Sequence, residues 1–119
     1  MEWYYDKNGI AVFFKYDDRL IGKDGNNLCW VSGGYIYSLK TGRHIGWFEG
    51  DKVYDIENGI LAFSIDAKGL PYKPGIEGTP GTPGIPAKPG IPGFGGVFGR
   101  LGYFGFSKYK VSDYFLREE

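Results

Sequence analysis

Four segments of the chain lie over one another: WYYDKNGIAVFF, LIGKDGNNLCWV, IYSLKTGRHIGWF and VYDIENGILAFS. Each has an apolar or aromatic pair, a polar step, a turn ending in glycine, and a second apolar run. The turn glycines Gly9, Gly25, Gly42 and Gly59 are 16, 17 and 17 residues apart. Asn8-Gly9, Asp24-Gly25 and Asn58-Gly59 tolerate the positive φ angles of a type I′ turn, whose twist matches paired strands. In Thr41-Gly42 the β-branched threonine resists positive φ, so a different turn is expected there. Short polar stretches (YDDR, SGGY, EGDK and DAKG) follow the units. The first 69 residues therefore read as eight short strands in four hairpins.

Side chains two apart on a strand share a face. On that rule Ala11, Phe13 and Lys15 go together, as do Leu28, Trp30 and Ser32, then Ile45, Trp47 and Glu49, then Leu61, Phe63 and Ile65. Phe13, Trp30, Trp47 and Phe63 then stand at the same place in each hairpin. A period near 17 is too short for a propeller blade of four strands and roughly 40 residues. One hairpin alone is marginal in water and must bury its apolar face against others. Four equal hairpins achieve this by closing around a common axis, which also hides sheet edges.

A second periodicity follows. Gly75, Gly78, Gly81, Gly84, Gly90 and Gly93 fall on every third position, with Ala87 in one slot, and the beat continues through Gly96, Gly99, Gly102 and Gly105. Polyproline II has three residues per turn, so each position of the triplet forms one edge of a left-handed rod. From 78 to 92 the second edge is proline (Pro80, Pro83, Pro86, Pro89, Pro92) and the third is Thr79, Thr82, Ile85, Lys88 and Ile91. Three arrangements are open: a rod docked on the aromatic surface of its own hairpins, rods of several chains packed together, or a linker. Ala87 argues against a collagen-like trimer, because only glycine fits that axis. Aromatic-lined grooves commonly receive such rods. Further on, Phe94, Phe98, Tyr103, Phe104 and Phe106 are too many aromatics for a disordered tail. The expected organisation is a four-hairpin domain over 1–69, a Gly-Pro segment over 70–93 and a docking tail over 94–119. The tail is expected to end in a short helix capped by Ser112, with Asp113 in its first turn.

Composition narrows the function classes. The 119 residues carry 14 Lys/Arg and 14 Asp/Glu, so no basic field announces nucleic acid. The single cysteine, Cys29, rules out an internal disulfide and a cysteine zinc cage, and a reducing, cytoplasmic location is expected. No apolar run is long enough to span a membrane.

These segments, with YYDKNG, GKDGNN, IYSLKTGRHIGWFEG, VYDIENGILAF, the glycine-proline triplets and the tail SDYFLREE, resemble the 4-fold β-flower family of small bacterial proteins. The resemblance covers nearly the whole chain. It implies an all-β fold of four sequential hairpins around a pseudo-fourfold axis, and it implies no established biochemistry and no catalytic residues.

The residues themselves agree on that last point. The one histidine, His44, follows the third turn without a partner the sequence can place, and reads as an exposed strand histidine. Cys29, between Leu28 and Trp30, reads as a small buried hydrophobe. DKNG and KDGNN loosely resemble calcium loops, but Ile10 and Ala11 fall where ligands are needed. Asp17 and Asp18 lie in a turn as solvated charge. GFGGVFG lacks the Lys-Ser/Thr of a phosphate loop. The set most able to serve as a surface is Phe13, Trp30, Trp47 and Phe63, either as core packing or as an aromatic floor for a partner or small ligand. No metal or cofactor is expected. The expected function is a non-enzymatic structural or protein-interaction module, whose tail docks on its own hairpins or joins a homo-oligomer or another protein. The alternative is a ligand-binding protein or weak enzyme with an aromatic pocket at the fourfold axis.

Overall fold

A computed structural model describes residues 2–81, 83–97, 99–100, 102 and 105–118, with side chains given as far as Leu116. Of the residues singled out above, Thr82, Phe98, Tyr103 and Phe104 lie outside the described residues. Eight antiparallel strands follow in chain order: β1 (Glu2–Tyr5), β2 (Ala11–Tyr16), β3 (Arg19–Gly22), β4 (Asn27–Ser32), β5 (Tyr35–Ser38), β6 (His44–Phe48), β7 (Lys52–Asp55) and β8 (Ile60–Ser64). Each pairs with the next, and β1 pairs with β8, so the sheet closes into a barrel. That closing seam is short, with only Tyr4 opposite Ser64 and Tyr5 opposite Phe63.

The turns inside the hairpins differ from the type I′ expectation. Gly9, Gly25 and Gly42 have positive φ, but Asn8, Asp24 and Thr41 do not. A type I′ turn needs two such residues in succession. Here the chain makes an ordinary turn and then one left-handed residue, the three-residue hairpin loop that ends in a bulge. Gly9 N–H donates to Asp6 O, and Gly25 N–H to Gly22 O. In the third hairpin Gly42 N–H reaches back one residue further, to Ser38 O, so the turn at Thr41 is indeed of a different kind. In the fourth, Asn58 takes the left-handed seat at φ +65°, and its N–H donates to Asp55 O. The equivalent residues are therefore Gly9, Gly25, Gly42 and Asn58. Two adjacent positive φ angles occur between hairpins instead, at Gly33 and Gly34.

Each loop is followed by a register shift in the second strand, and this reassigns the faces. The shifts place Val12, Leu28, Ile45 and Leu61 as extra residues opposite the first strands. A bulge breaks the two-residue alternation. Beyond it Phe13 lies opposite Tyr4, Cys29 opposite Leu20, Gly46 opposite Ile36 and Ala62 opposite Val53. These residues point into the barrel, where Tyr4, Phe13, Leu20, Cys29, Ile36, Ile45, Val53, Leu61 and Ala62 form one buried cluster. The next residues, Phe14, Trp30, Trp47 and Phe63, point outward.

Barrels of eight strands have an interior just wide enough for side chains. Here the backbone repeats but the filling does not. Tyr4 and Phe13, with ring centroids 5.5 Å apart, supply bulk from the first hairpin. Gly46 has no room for a side chain, because a Cβ there would stand 2.1 Å from Tyr54 O and 2.9 Å from the Ile36 side chain.

One mouth of the barrel is stoppered by α1 (Val111–Glu118). Val111, Tyr114 and Phe115 sit at i, i+3 and i+4 and join the interior cluster. Phe115 meets Phe13 edge-on at 6.0 Å. The Tyr114 hydroxyl donates to Ile45 O and accepts the Ile56 N–H. The helix begins two residues earlier than the sequence suggests. Tyr114 N–H donates to Lys110 O, so Lys110 is the cap and Ser112 lies inside the first turn beside Asp113. Burying Val111 in the mouth requires that earlier start.

Candidate functional site

The outward aromatics and the hairpin loops bound a groove that circles the barrel, and the described residues of segment 70–105 lie in it as a belt. At the first hairpin Glu77 N–H donates to Gly9 O at 2.9 Å. The Glu77 carboxylate accepts from Lys23 at 2.8 Å and from Ala11 N–H at 2.9 Å, which holds it below the usual carboxylate range. The Tyr5 and Thr79 hydroxyls are 3.1 Å apart. At the second hairpin Arg19 Nη2 donates to Pro86 O at 3.2 Å and Asn27 Nδ2 to Ala87 O at 3.0 Å. Lys88 pairs with Asp18 at 2.7 Å and lies 5.7 Å from the centre of the Trp30 ring.

At the third hairpin Gly95 N–H donates to Gly42 O at 2.9 Å, and Phe94 stacks on Tyr37 with centroids 4.2 Å apart. At the fourth, the Arg100 guanidinium stands 4.1 Å over the Tyr54 ring and 5.6 Å from Trp47. It pairs with Glu49 at 2.9 Å and donates through Nε to Asn58 at 2.5 Å. The Arg100 hydrogen bond pulls the Glu49 carboxyl below its ordinary range despite partial burial.

The belt then returns to its start. Ile60 N–H donates to Gly105 O and Ser107 N–H to Ile60 O, a short parallel bridge on the edge of β8. Phe106 lies 6.1 Å from Phe63 and 4.9 Å from Tyr72, so the two ends of the belt touch. Leu70, Ile76 and Phe106 pack on Trp3, Tyr5 and Phe63, across the short β8–β1 seam. Beside the bridge, Ser107 Oγ donates to the buried Asp55 carboxylate at 2.5 Å.

The four aromatics singled out from the sequence do not form one ring. Trp30, Trp47 and Phe63 are outward and meet the belt, whereas Phe13 lies inside the barrel against Tyr4 and Phe115. The outward member of the first hairpin is Phe14, 5.0 Å from Trp3. Phe13 and Phe14 are adjacent, and only the bulge at Val12 decides which faces out. Trp30 and Phe63 are buried to 1% and 0%, and Trp47 to 5%.

A signal for the belt was present in the sequence. Added Cβ atoms at Gly9, Gly25 and Gly42 have Gly75 O, Gly84 O and Gly93 O as their nearest neighbours. Those belt glycines are nine residues apart, three triplets for each hairpin. At a rise of ~3.1 Å per residue nine residues cover ~28 Å, and four such lengths make ~110 Å. That is about the circumference of a disc 38 by 36 Å across, the two long extents of the molecule. The glycines that must yield space are those of the loops. A Cβ on any described triplet-slot glycine from Gly75 to Gly102 would meet nothing within 4 Å.

Cys29 is fully buried in the barrel interior. His44, expected to be exposed, is instead buried on the outer side because Tyr35, Tyr37 and Trp47 pack around it, and its Nε2 donates to Gly46 O at 2.7 Å. No cluster of three or more His, Cys, Asp or Glu able to hold a metal occurs among the described residues. A cleft of about 480 Å³ opens at the helix rim, between Asn27, Leu28, Leu39, Pro89, Phe115 and Leu116. Among the described residues no helix is long and apolar enough to cross a membrane.

Burial holds the His44 imidazole below its ordinary value of 6.5, a pull that the Gly46 carbonyl only partly offsets. The unfolded chain then binds more protons below pH 6.5 than the folded one, so this residue's contribution is complete above that pH and lost as pH falls. In a thermal melt series from neutral pH to about pH 5, His44→Phe is expected to lose less stability than the parent, and parallel curves would contradict this.

A family model described as 4-fold beta flower protein matches residues 2–115. No curated protein and no solved structure matches the chain.

Proposed function

The chain belongs to the 4-fold beta flower family, and from that premise we propose that it is a non-enzymatic structural module. In this reading the C-terminal segment braces the flower from outside, and the belted rim is the surface offered to other proteins. The supporting observation is that the belt touches all four hairpins and overlaps itself where the barrel is weakest. The β8–β1 seam is two residue pairs wide, and Phe106 bridges Phe63 on one side of it and Tyr72 at the start of the belt.

Closing a barrel removes its exposed edges only if the last pairing holds. A seam of two pairs is marginal, and apolar cover across it substitutes for the missing ladder. The outer face of the belt is apolar at Ile85, Ile91 and Val97, which are exposed, and these are the side chains a protein partner would meet.

Phe106→Ala unclasps the belt without touching the barrel interior. Phe106 is partly buried, so a loss of about 2 kcal/mol is expected, below the range for a fully buried phenylalanine. In a domain of this size that lowers Tm by roughly 10 °C. An unchanged melting curve would make the segment a linker and remove the brace.

A further inference from the structure

The belt is not held equally in its four quarters. Over the first and third hairpins a belt N–H donates to the carbonyl of the loop glycine, Glu77 to Gly9 and Gly95 to Gly42. Nine residues after Glu77 and nine before Gly95 the belt residue is Pro86, which has no N–H to give to Gly25. The spacing follows suit. A Cβ built on Gly9 or Gly42 would stand 1.9 or 2.1 Å from the belt carbonyl, but one on Gly25 stands 3.7 Å from Gly84 O. The belt therefore rides higher over the second hairpin.

Below this quarter lies a third anomaly. Among the described residues, the buried side-chain polar atoms left without a hydrogen-bond partner are Arg19 Nε, Arg19 Nη1, Asp18 Oδ1 and Asn27 Oδ1. All belong to residues that contact 86–88 of the belt. Arg19 is only 5% exposed; its guanidinium donates to one neutral carbonyl, Pro86 O, has the Tyr16 ring at 5.6 Å, and feels the adjacent Asp18 carboxylate without hydrogen-bonding to it. Burying a guanidinium with most of its donors unpaired is costly, and lifting the cover returns those donors to water.

We propose that the quarter of the belt over the second hairpin, residues 83–89, is a releasable strap that lifts from Trp30 and Arg19 while the rest of the belt stays seated. Three features combine: a missing backbone hydrogen bond, a wider stand-off, and unpaired polar atoms beneath. The neighbouring quarters are anchored differently, by Glu77 with Lys23 and Ala11 on one side and by Phe94 on Tyr37 on the other. Lifting exposes the face of Trp30 together with Arg19 and Asn27, which in the closed state read the carbonyls of Pro86 and Ala87. The inference presupposes the belt described above, but it concerns one quarter, whereas the Phe106→Ala melt tests the brace as a whole.

The three tryptophans are built-in reporters, since Trp30 lies under the strap, Trp47 under the fourth quarter beside Arg100, and Trp3 near the seam. In the full chain labelled with 5-fluorotryptophan, the fluorine resonance of Trp30 alone is expected to show millisecond exchange broadening. Arg19→Met removes the buried charge and keeps the side-chain length. It is expected to reduce the lifted population at least about fivefold, the low end of what replacing a buried charge by an apolar group returns. A Trp30 line as sharp as those of Trp3 and Trp47 would overturn the strap. So would equal broadening of all three, or broadening that Arg19→Met leaves unchanged.

Discussion

A chain ending at Lys68 is expected to lose its cooperative melting transition, or to melt tens of degrees below the full chain. The cut removes the belt and the helical stopper together. Val111, Tyr114 and Phe115 are buried to 7%, 0% and 2% in the barrel interior. Burying such side chains contributes about 1.5–3 kcal/mol each, so about 5–9 kcal/mol leaves with the helix alone. A small domain has only ~5–15 kcal/mol in all. The cut also strips the outer ring. Trp30, Trp47 and Phe63 are at most 5% exposed in the intact chain, and without the belt they present an apolar band to water. Calorimetry of the two chains, or loss of the tyrosine and tryptophan near-ultraviolet dichroism, reads the effect. A truncated chain with the parent's Tm would show that the hairpins hold themselves together and that the tail is a passenger.

The second large effect separates the belt from the loops it crosses. Gly9 and Gly42 have φ of +78° and +72°, and a Cβ on either would fall 1.9 or 2.1 Å from a belt carbonyl. Alanine there incurs left-handed strain of roughly 1–2 kcal/mol, and it also forces the belt backbone away. We expect Gly42→Ala to lose at least about 3 kcal/mol, with Tm falling by roughly 15 °C or more. Gly25 has the same left-handed geometry, φ +88°, but 3.7 Å of clearance, so Gly25→Ala should lose only the strain. Gly84→Ala and Gly93→Ala, whose new methyl groups meet open space, should leave Tm nearly unchanged, as Ala87 already does in its slot. Equal losses at Gly25 and Gly42 would mean that the belt does not press on the loops.

Much of the architecture is written in the primary structure because it rests on local rules. Loops of Asn, Asp and Gly between apolar runs specify hairpins, and four hairpins of one length can hide their apolar faces only by closing. For the triplet segment, rich in proline and followed by aromatics, the sequence left docking on its own hairpins open beside packing between chains and a linker. The single histidine and single cysteine are both buried, Cys29 inside the barrel and His44 among outer aromatics.

The faces of the second strands were not legible. In AVFF, NLCW, HIGW and ILAF every residue but Asn27 and His44 is apolar or glycine, so alternation has no polar beat to set its phase. The phase is set by the extra residue after each loop, at Val12, Leu28, Ile45 and Leu61, and that residue exists because one left-handed seat, not two, closes each hairpin. A one-residue slip turns every side chain over; counted from the left-handed residue of each loop, Phe14, Trp30, Trp47 and Phe63 are each the fifth residue and Phe13 is the fourth, which is why Phe14, not Phe13, belongs with the other three.

Local sequence thus determined the number of hairpins, their lengths and the presence of an extended glycine-proline segment, because turn chemistry and dihedral limits act within a few residues. The closed barrel decided which aromatics face the axis, that nine belt residues answer one hairpin, and that Arg19 lies under a proline with donors to spare. Those outcomes depend on the circumference of the assembled sheet, a length that no stretch of chain carries until the first and last strands have met.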